Sequence, residues 1–216
     1  MLGGMSIPKR AAIGLAATVT ALMMTACSSN GSSGSSNGST GGAASTTTAG
    51  TQAAPSTAAA ADWSRNPDQT STALKAGLPM LGSEMLQVHY HAHLDVIVDG
   101  KPVTVPQYVG IDENAQTITA LHTHDTSGVM HIESAKDTPF KLGQFFTEWG
   151  QPLTATRVGP VTIGADEALH VIVNGKEVTG DPAQYVLKAH DEIAVWVGAK
   201  GQTPQVPSSY NFPAGL

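Results

Sequence analysis

Six of the eight histidines in this chain fall between positions 89 and 131: His89, His91 and His93 in "HYHAH", His122 and His124 in "HTH", and His131 in "VMHIE". Neutral imidazole is a ligand for borderline cations such as Zn²⁺, Cu²⁺, Ni²⁺ or Fe²⁺, whereas Ca²⁺ and Mg²⁺ prefer oxygen. The spacing matters because a β-strand turns successive side chains to opposite faces. His89, His91 and His93 then share one face, and Val88, Tyr90, Ala92 and Leu94 share the other. At about 3.3 Å per residue, His89 and His93 stand about 13 Å apart, too far to hold one ion together, while neighbouring pairs can. Two of the trio are therefore expected to join His122, His124 and His131. The third is left for a second ion, for orienting a ligand or for an exposed rim.

The segment "HTHDTSGVMHIES" reads as a hairpin whose four-residue turn is "DTSG", with Asp125 accepting backbone hydrogen bonds and Gly128 closing it. Pairing Asp125 with Gly128 sets His122 directly across from His131. Directly opposite Cβ atoms lie about 4.5–5.5 Å apart, which suits two rings converging on one ion at about 2.0–2.1 Å. Two carboxylates accompany the histidines: Asp95 shares the face of the first trio and Glu133 shares that of His131. Either could orient a ligand imidazole or act as general base on a metal-bound water. His170 and His190 stand alone and read as structural. No catalytic residue is assigned, because the chain has no HExxH, no GxSxG and no usable thiol.

Positioning such a cluster requires strands. "HLDVIVDGKPVTVP" reads as a hairpin around Asp99-Gly100, since Asp-Gly supplies the positive φ angles of a tight turn. A short helix is expected in "TSTALKAG", stopped before Pro79. Another is expected in "PFKLGQFFTEWG", where Leu142, Phe145, Phe146 and Trp149 recur at i, i+3, i+4 and i+7 and Gly150 ends the run. That aromatic stripe reads as core rather than as a cofactor box. "LDVIVDGKPVT" (94–104) matches "LHVIVNGKEVT" (169–179) at an offset of 75, and "TITALHT" (117–123) keeps the same offset to "EIAVWVG" (192–198). The second copy holds Val197 and Ala199 in the places of His122 and His124, so the hairpin does not need imidazoles in order to fold. The expected architecture is mainly β: two similar β-hairpin-containing repeat units, about 85–135 and 160–200, packed as a small sandwich or barrel about a pseudo-twofold, with one short amphipathic helix between them.

The N-terminus gives an address. Lys9 and Arg10 precede the apolar run "AAIGLAATVTALMM", too short to span a bilayer, as in a secretory signal peptide. It ends in "MMTAC", which resembles the lipobox of bacterial lipoproteins, with Met24 where leucine is usual. The resemblance implies cleavage after residue 26 and lipid on Cys27, the only cysteine. No internal disulfide and no thiolate metal site then remains available. Residues 27–61 are Ser-, Gly-, Thr- and Ala-rich, without charge or aromatic groups, and read as a tether that cannot offset the entropy of folding. Residues 62–216 then form a single domain. The net charge is −6 and no basic patch occurs, which argues against a nucleic-acid partner.

The three segments "HYHAHLDVIVDGKPVTVP", "LHTHDTSGVMHIES" and "LGQFFTEWGQPL", in that order, resemble a family of secreted or membrane-tethered prokaryotic proteins with no assigned activity. The resemblance covers about 85–200 and implies neither reaction nor substrate. The chemistry therefore supports a lipid-anchored extracytoplasmic protein that captures, buffers or delivers Cu or Zn, with the membrane and the ion as its partners. The alternative is a metalloenzyme, hydrolase or oxygen-dependent oxidoreductase, whose three histidines leave a coordination position open. A β module whose histidines sense acid without metal is a third reading.

Overall fold

The computed structural model describes residues 62–216. Residues 1–61, read from sequence as signal peptide, lipidated Cys27 and tether, lie outside the described residues. Among those described, no helix is long and apolar enough to cross a membrane. The chain runs through α1 (Gln69–Ala76), β1 (Val88–Val98), β2 (Lys101–Val103), β3 (Ile111–Asp112), β4 (Thr117–Ile118), β5 (Leu121–His122) and β6 (Val129–Ser134). It continues with α2 (Leu142–Trp149), β7 (Leu153–Thr154), β8 (Arg157–Val158), β9 (Val161–Thr162), β10 (Glu167–Val173), β11 (Lys176–Glu177) and β12 (Glu192–Ala199).

The fold is mainly β. One seven-stranded sheet runs β11-β10-β12-β1-β6-β5, with β2 paired to β1. A two-stranded sheet (β3-β4) and a three-stranded one (β7-β8-β9) accompany it. The 11-residue β1 organises the main sheet because its two halves have different partners. Val88–His93 pair antiparallel with β6, and His93–Val98 pair parallel with β12. Strict alternation along β1 then divides the sheet into two chemically distinct faces. Ala92, Leu94 and Val96 of β1, Met130 and Ile132 of β6, Leu121 of β5 and Ile193, Val195 and Val197 of β12 form one face. They join Leu142, Phe145, Phe146 and Trp149 of α2 in one continuous buried cluster. The other face of β1 carries the histidines.

Both helices form where the sequence places them. Asp68 caps α1 by accepting from the Ser71 backbone N–H, and Gly77 ends it in the left-handed region at φ 72°. Gly150 ends α2 likewise at φ 85°. All four stripe residues of α2 are fully buried, as expected of core.

The two hairpins with matching sequence adopt matching turns. Asp99-Gly100 has φ of 50° and 73°, and Asn174-Gly175 has 51° and 75°. The correspondence stops beyond the hairpins. β12 pairs with β10 of its own unit and with β1, whereas the matching stretch of the first unit is divided between β4 and β5 and is separated from β1 by β6. The physical reason is β12 itself, which lies on the edge of β1 opposite β2, the edge that a symmetric arrangement would give to β5.

Two glycines of positive φ separate turn strain from crowding. At Gly100 (φ +73°) an added Cβ meets nothing within 4 Å, whereas at Gly128 (φ +87°) it would lie 2.6 Å from the Leu94 carbonyl oxygen and 3.0 Å from His93 Nε2. Urea unfolding should show Gly100→Ala destabilised by about 1–2 kcal/mol, the left-handed penalty alone, and Gly128→Ala destabilised by clearly more. Equal losses would mean that the approach of Gly128 to β1 is not a tight contact.

Candidate metal centre

The register of three strands assembles the site. In the antiparallel ladders His131 of β6 lies opposite His91 of β1 on one side and opposite His122 of β5 on the other. Glu133, two residues along β6, lies opposite His89. Same-face rows across adjacent strands bring side chains within about 5 Å of one another, so the pleat alone gathers these five residues. His124, just past β5, completes the group.

Nitrogen–nitrogen distances are short. Nε2 of His89 is 3.2 Å from Nε2 of His91, which is in turn 3.1 Å from Nδ1 of His131. Nε2 of His122 is 3.2 Å from Nε2 of His124. Two nitrogens bound to one ion at 2.0–2.1 Å stand about 2.9 Å apart at a right angle and about 3.4 Å apart at the tetrahedral angle. The observed separations fall in that interval. His91 Nε2 faces two nitrogens at once, and a single proton on it could serve only one of them.

Ring orientation is set from behind. His122 is fully buried, and its Nδ1–H donates to the Thr119 carbonyl at 2.9 Å, which leaves the Nε2 lone pair facing the cluster. A backbone acceptor behind a ring is the usual way in which a ligand imidazole is fixed in tautomer and direction. Glu133, with its side chain 5 % exposed, reaches His89 (3.4 Å) and His131 (3.5 Å) through Oε1 and His122 (4.0 Å) through Oε2. Its Oε2 is buried without a hydrogen-bond partner.

Two quartets of ligand atoms result: His89, His91, His131 and Glu133, and His122, His124, His131 and Glu133, each with its atoms within 4.8 Å of one another. Both can hold a metal ion. The rings of His89 and His124 border solvent at 39 % and 43 % exposure, whereas His122 and Glu133 sit inside.

Burial decides the charge state. It holds the His122 imidazole down at about 3, outweighing the opposing effect of the Thr119 hydrogen bond. Burial, reinforced by the neighbouring imidazoles of His124, His91 and His89, lowers His131 to about 4. His91 is lowered by burial and then by His89. Glu133 is raised by burial and by the charge of Glu84. At neutral pH the buried rings therefore present lone pairs rather than charges.

The structure brings together His89, His91, His122, His124 and His131. It does not bring in His93 or Asp95, which form a separate group with Glu192. Both His93 nitrogens are engaged: Nε2–H donates to the Ser127 carbonyl at 2.9 Å, and Nδ1 lies 2.7 Å from a Glu192 oxygen. Tyr210 stacks on the ring with centroids 3.8 Å apart. His93 thus ties β1 to β12, the β5–β6 turn and the C-terminal segment, and with Asp95 and Glu192 it forms a third group that could hold a metal ion. Burial lowers its proton affinity, but the hydrogen bond and charge of Glu192 outweigh it and the net shift is upward. Asp95 lies beside this latch, two residues beyond His93 on β1. Glu133, read from sequence as a supporting acid or base, instead sits among the ligand atoms. Glu84, 3.6 Å from His124, was not legible because it comes from the irregular segment before β1, where nothing in the pattern fixes its direction. His170 pairs with Glu177 at 2.7 Å and His190 stacks on Phe212, consistent with structural roles.

Comparison with models of known protein families, with curated proteins and with solved structures found no match.

A pH dependence follows with a definite sign. In the unfolded chain these histidines take up protons as the pH falls through about 6.5, but in the fold His131 does so only near 4 and His122 near 3. Their contribution to stability is complete above about pH 6.5 and erodes as the pH falls toward 4 to 3. Glu133 and Glu148, both raised by burial, act in the opposite sense, so the histidine effect is read as a difference. In metal-stripped protein, the urea-unfolding advantage of wild type over His122→Ala should be larger at pH 7.5 than at pH 5. An unchanged gap would mean that His122 is not held neutral by burial.

Proposed function

We propose that this protein binds Cu²⁺ or Zn²⁺ through the histidine cluster and serves metal capture, buffering or delivery outside the cytoplasm, held to a membrane by lipid on Cys27. The observation that carries the reading is His122. A fully buried ring with Nδ1–H held by the Thr119 carbonyl and an Nε2 lone pair directed at another imidazole nitrogen 3.2 Å away is arranged for a cation. The donor set is imidazole-rich with one carboxylate, which suits Cu²⁺ and Zn²⁺ and is unfavourable for Ca²⁺ and Mg²⁺. The solvent-bordering rings of His89 and His124 allow an ion to enter and leave, as buffering and delivery require. The location rests on the leader, the "MMTAC" motif and the uncharged tether.

A metalloenzyme is the second reading, and the same open rim favours it. An ion reached by solvent through His124 can carry an exchangeable water, and Glu133 would accept its proton.

Metal-stripped full-length protein incubated with Cu²⁺ or Zn²⁺ and then desalted should retain at least one ion per chain by elemental analysis. Thermal unfolding should shift upward, as ligand binding to the native state requires. The triple variant His91→Ala, His122→Ala, His131→Ala should lose that retention. Wild type without retained metal, or a triple variant that keeps it, would overturn the reading. Water-proton relaxation of the Cu²⁺-loaded protein separates the two uses, since exchange of a bound water is needed for catalysis and not for storage. In the producing bacterium, Cys27→Ser should move the protein from the membrane to the soluble fraction. Persistence in the membrane would exclude lipid on Cys27 as the anchor.

A further inference from the structure

One ion leaves too many donors. Zn²⁺ in a protein site takes four ligands, whereas five imidazoles and a carboxylate converge here. The excess is not spread evenly. The rings divide into two i, i+2 pairs on different strands, His89 with His91 on β1 and His122 with His124 at β5, each pair with Nε2 atoms 3.2 Å apart. Each pair is a chelate in itself, and the two stand on opposite sides of β6.

β6 supplies what lies between them. Glu133 turns Oε1 toward His89 and His131, at 3.4 and 3.5 Å, and Oε2 toward His122, at 4.0 Å. Oε2 is buried and has no hydrogen-bond partner. A buried carboxylate oxygen without a donor is unfavourable, and its position facing the second pair gives it an obvious cationic counterpart. Two divalent ions a few ångströms apart repel, and a shared anion between them is the electrostatic remedy. The carboxylate has the geometry for this, with one oxygen for each side.

We infer that the cluster is a two-ion centre bridged by the Glu133 carboxylate, with one ion on His89, His91, His131 Nδ1 and Glu133 Oε1, and the other on His122, His124 and Glu133 Oε2. This rests on the metal-binding reading above and deepens it. The two halves differ in kind. The first has four protein donors, a closed shell. The second has three, with the His124 ring 43 % exposed and Glu84 beside it at 3.6 Å, so its fourth position is open to solvent. Four protein donors hold an ion more tightly than three, and a tighter site beside one that exchanges more readily is the division of labour that a protein delivering metal needs.

The donors show why His131 cannot be reassigned freely. Its Nδ1 lies 3.1 Å from His91 Nε2, which places that lone pair with the β1 pair. The third group, His93, Asp95 and Glu192, shares no residue with either half, and its His93 nitrogens face the Ser127 carbonyl and the Glu192 carboxylate.

The test is stoichiometry with side-specific variants, using metal-stripped full-length protein and Cu²⁺ or Zn²⁺ as the probes. Calorimetric titration should reach two ions per chain in two steps, the second at least tenfold weaker. His89→Ala with His91→Ala should bind one ion, and so should His122→Ala with His124→Ala, the latter keeping the tighter step. With two Cu²⁺ bound, electron paramagnetic resonance should show a signal diminished or broadened by coupling. Glu133→Gln, which keeps the shape and removes the anion, should restore the sum of two independent signals or lose the second ion. Saturation at one ion, abolished by either double variant, would overturn the two-ion centre and leave the metal-binding reading standing. Two ions that survive both double variants would place them elsewhere and overturn it as well. No bound ion in wild type would overturn both readings.

Discussion

The cross-strand register that sets His131 opposite His91 on one side and His122 on the other is the constraint on which the molecule depends. It is enforced from the far face of the sheet. Ala92 and Met130 are neighbours in the same ladder, as are Leu121 and Ile132, and these side chains are buried in one cluster with those of α2. Because the side-chain period of a strand is two, a slip of one residue would carry the histidines into the apolar core and the apolar set out to the other face. Burial of the one face therefore fixes the geometry of the other. The site has no need of a dedicated scaffold: the hydrophobic effect on Leu94, Met130, Phe146 and their neighbours positions the imidazoles.

The arrangement carries an electrostatic cost that a plain sheet would avoid. His122 and His91 are buried, Glu133 is buried with one oxygen unpaired, and close nitrogen pairs cannot all satisfy each other with protons. Burial keeps the rings neutral, which limits the cost in the metal-free state and leaves their lone pairs ready. A polar cluster of this kind destabilises the fold on its own and stabilises it once a cation compensates the lone pairs. Glu148 of α2, fully buried with both oxygens unpaired and held well above the usual carboxylate range by desolvation, adds a buried acid to the core. The large aromatic set of α2 supplies the apolar burial that offsets these groups.

The eight histidines have different roles because of what stands behind each ring, not because of the strand that carries it. His91 and His93 are on the same face of β1, two residues apart and both buried. His91 faces imidazoles. His93 faces a carbonyl and a carboxylate, and that difference places one in the imidazole cluster and the other in a latch between β1, β12 and the C-terminal segment. The division coincides with the change of partner along β1, where pairing passes from β6 to β12 at residue 93 itself. Upstream of that point the neighbouring strand offers His131 and Glu133; downstream it offers Glu192.

Much of this was legible in the sequence, because the relevant rules are local. Period-two alternation told which of His89, His91 and His93 share a face, the "DTSG" turn told that His122 meets His131, Asp99-Gly100 marked its hairpin, and the apolar period of α2 marked it as core. These follow from backbone geometry over a few residues, which any chain obeys. What the tertiary structure alone decided is long-range. Nothing in "HYHAH" says that β1 takes β6 along one half and β12 along the other, so nothing in it says that His93 and Asp95 leave the cluster while Glu133 enters it. The symmetry suggested by the 75-residue repeat fails for the same reason, since equal hairpins acquire unequal neighbours once β12 takes the edge of β1 opposite β2. Side-chain direction is a property of the strand, but the group a side chain meets belongs to the strand beside it, and that pairing is settled only when the whole core closes.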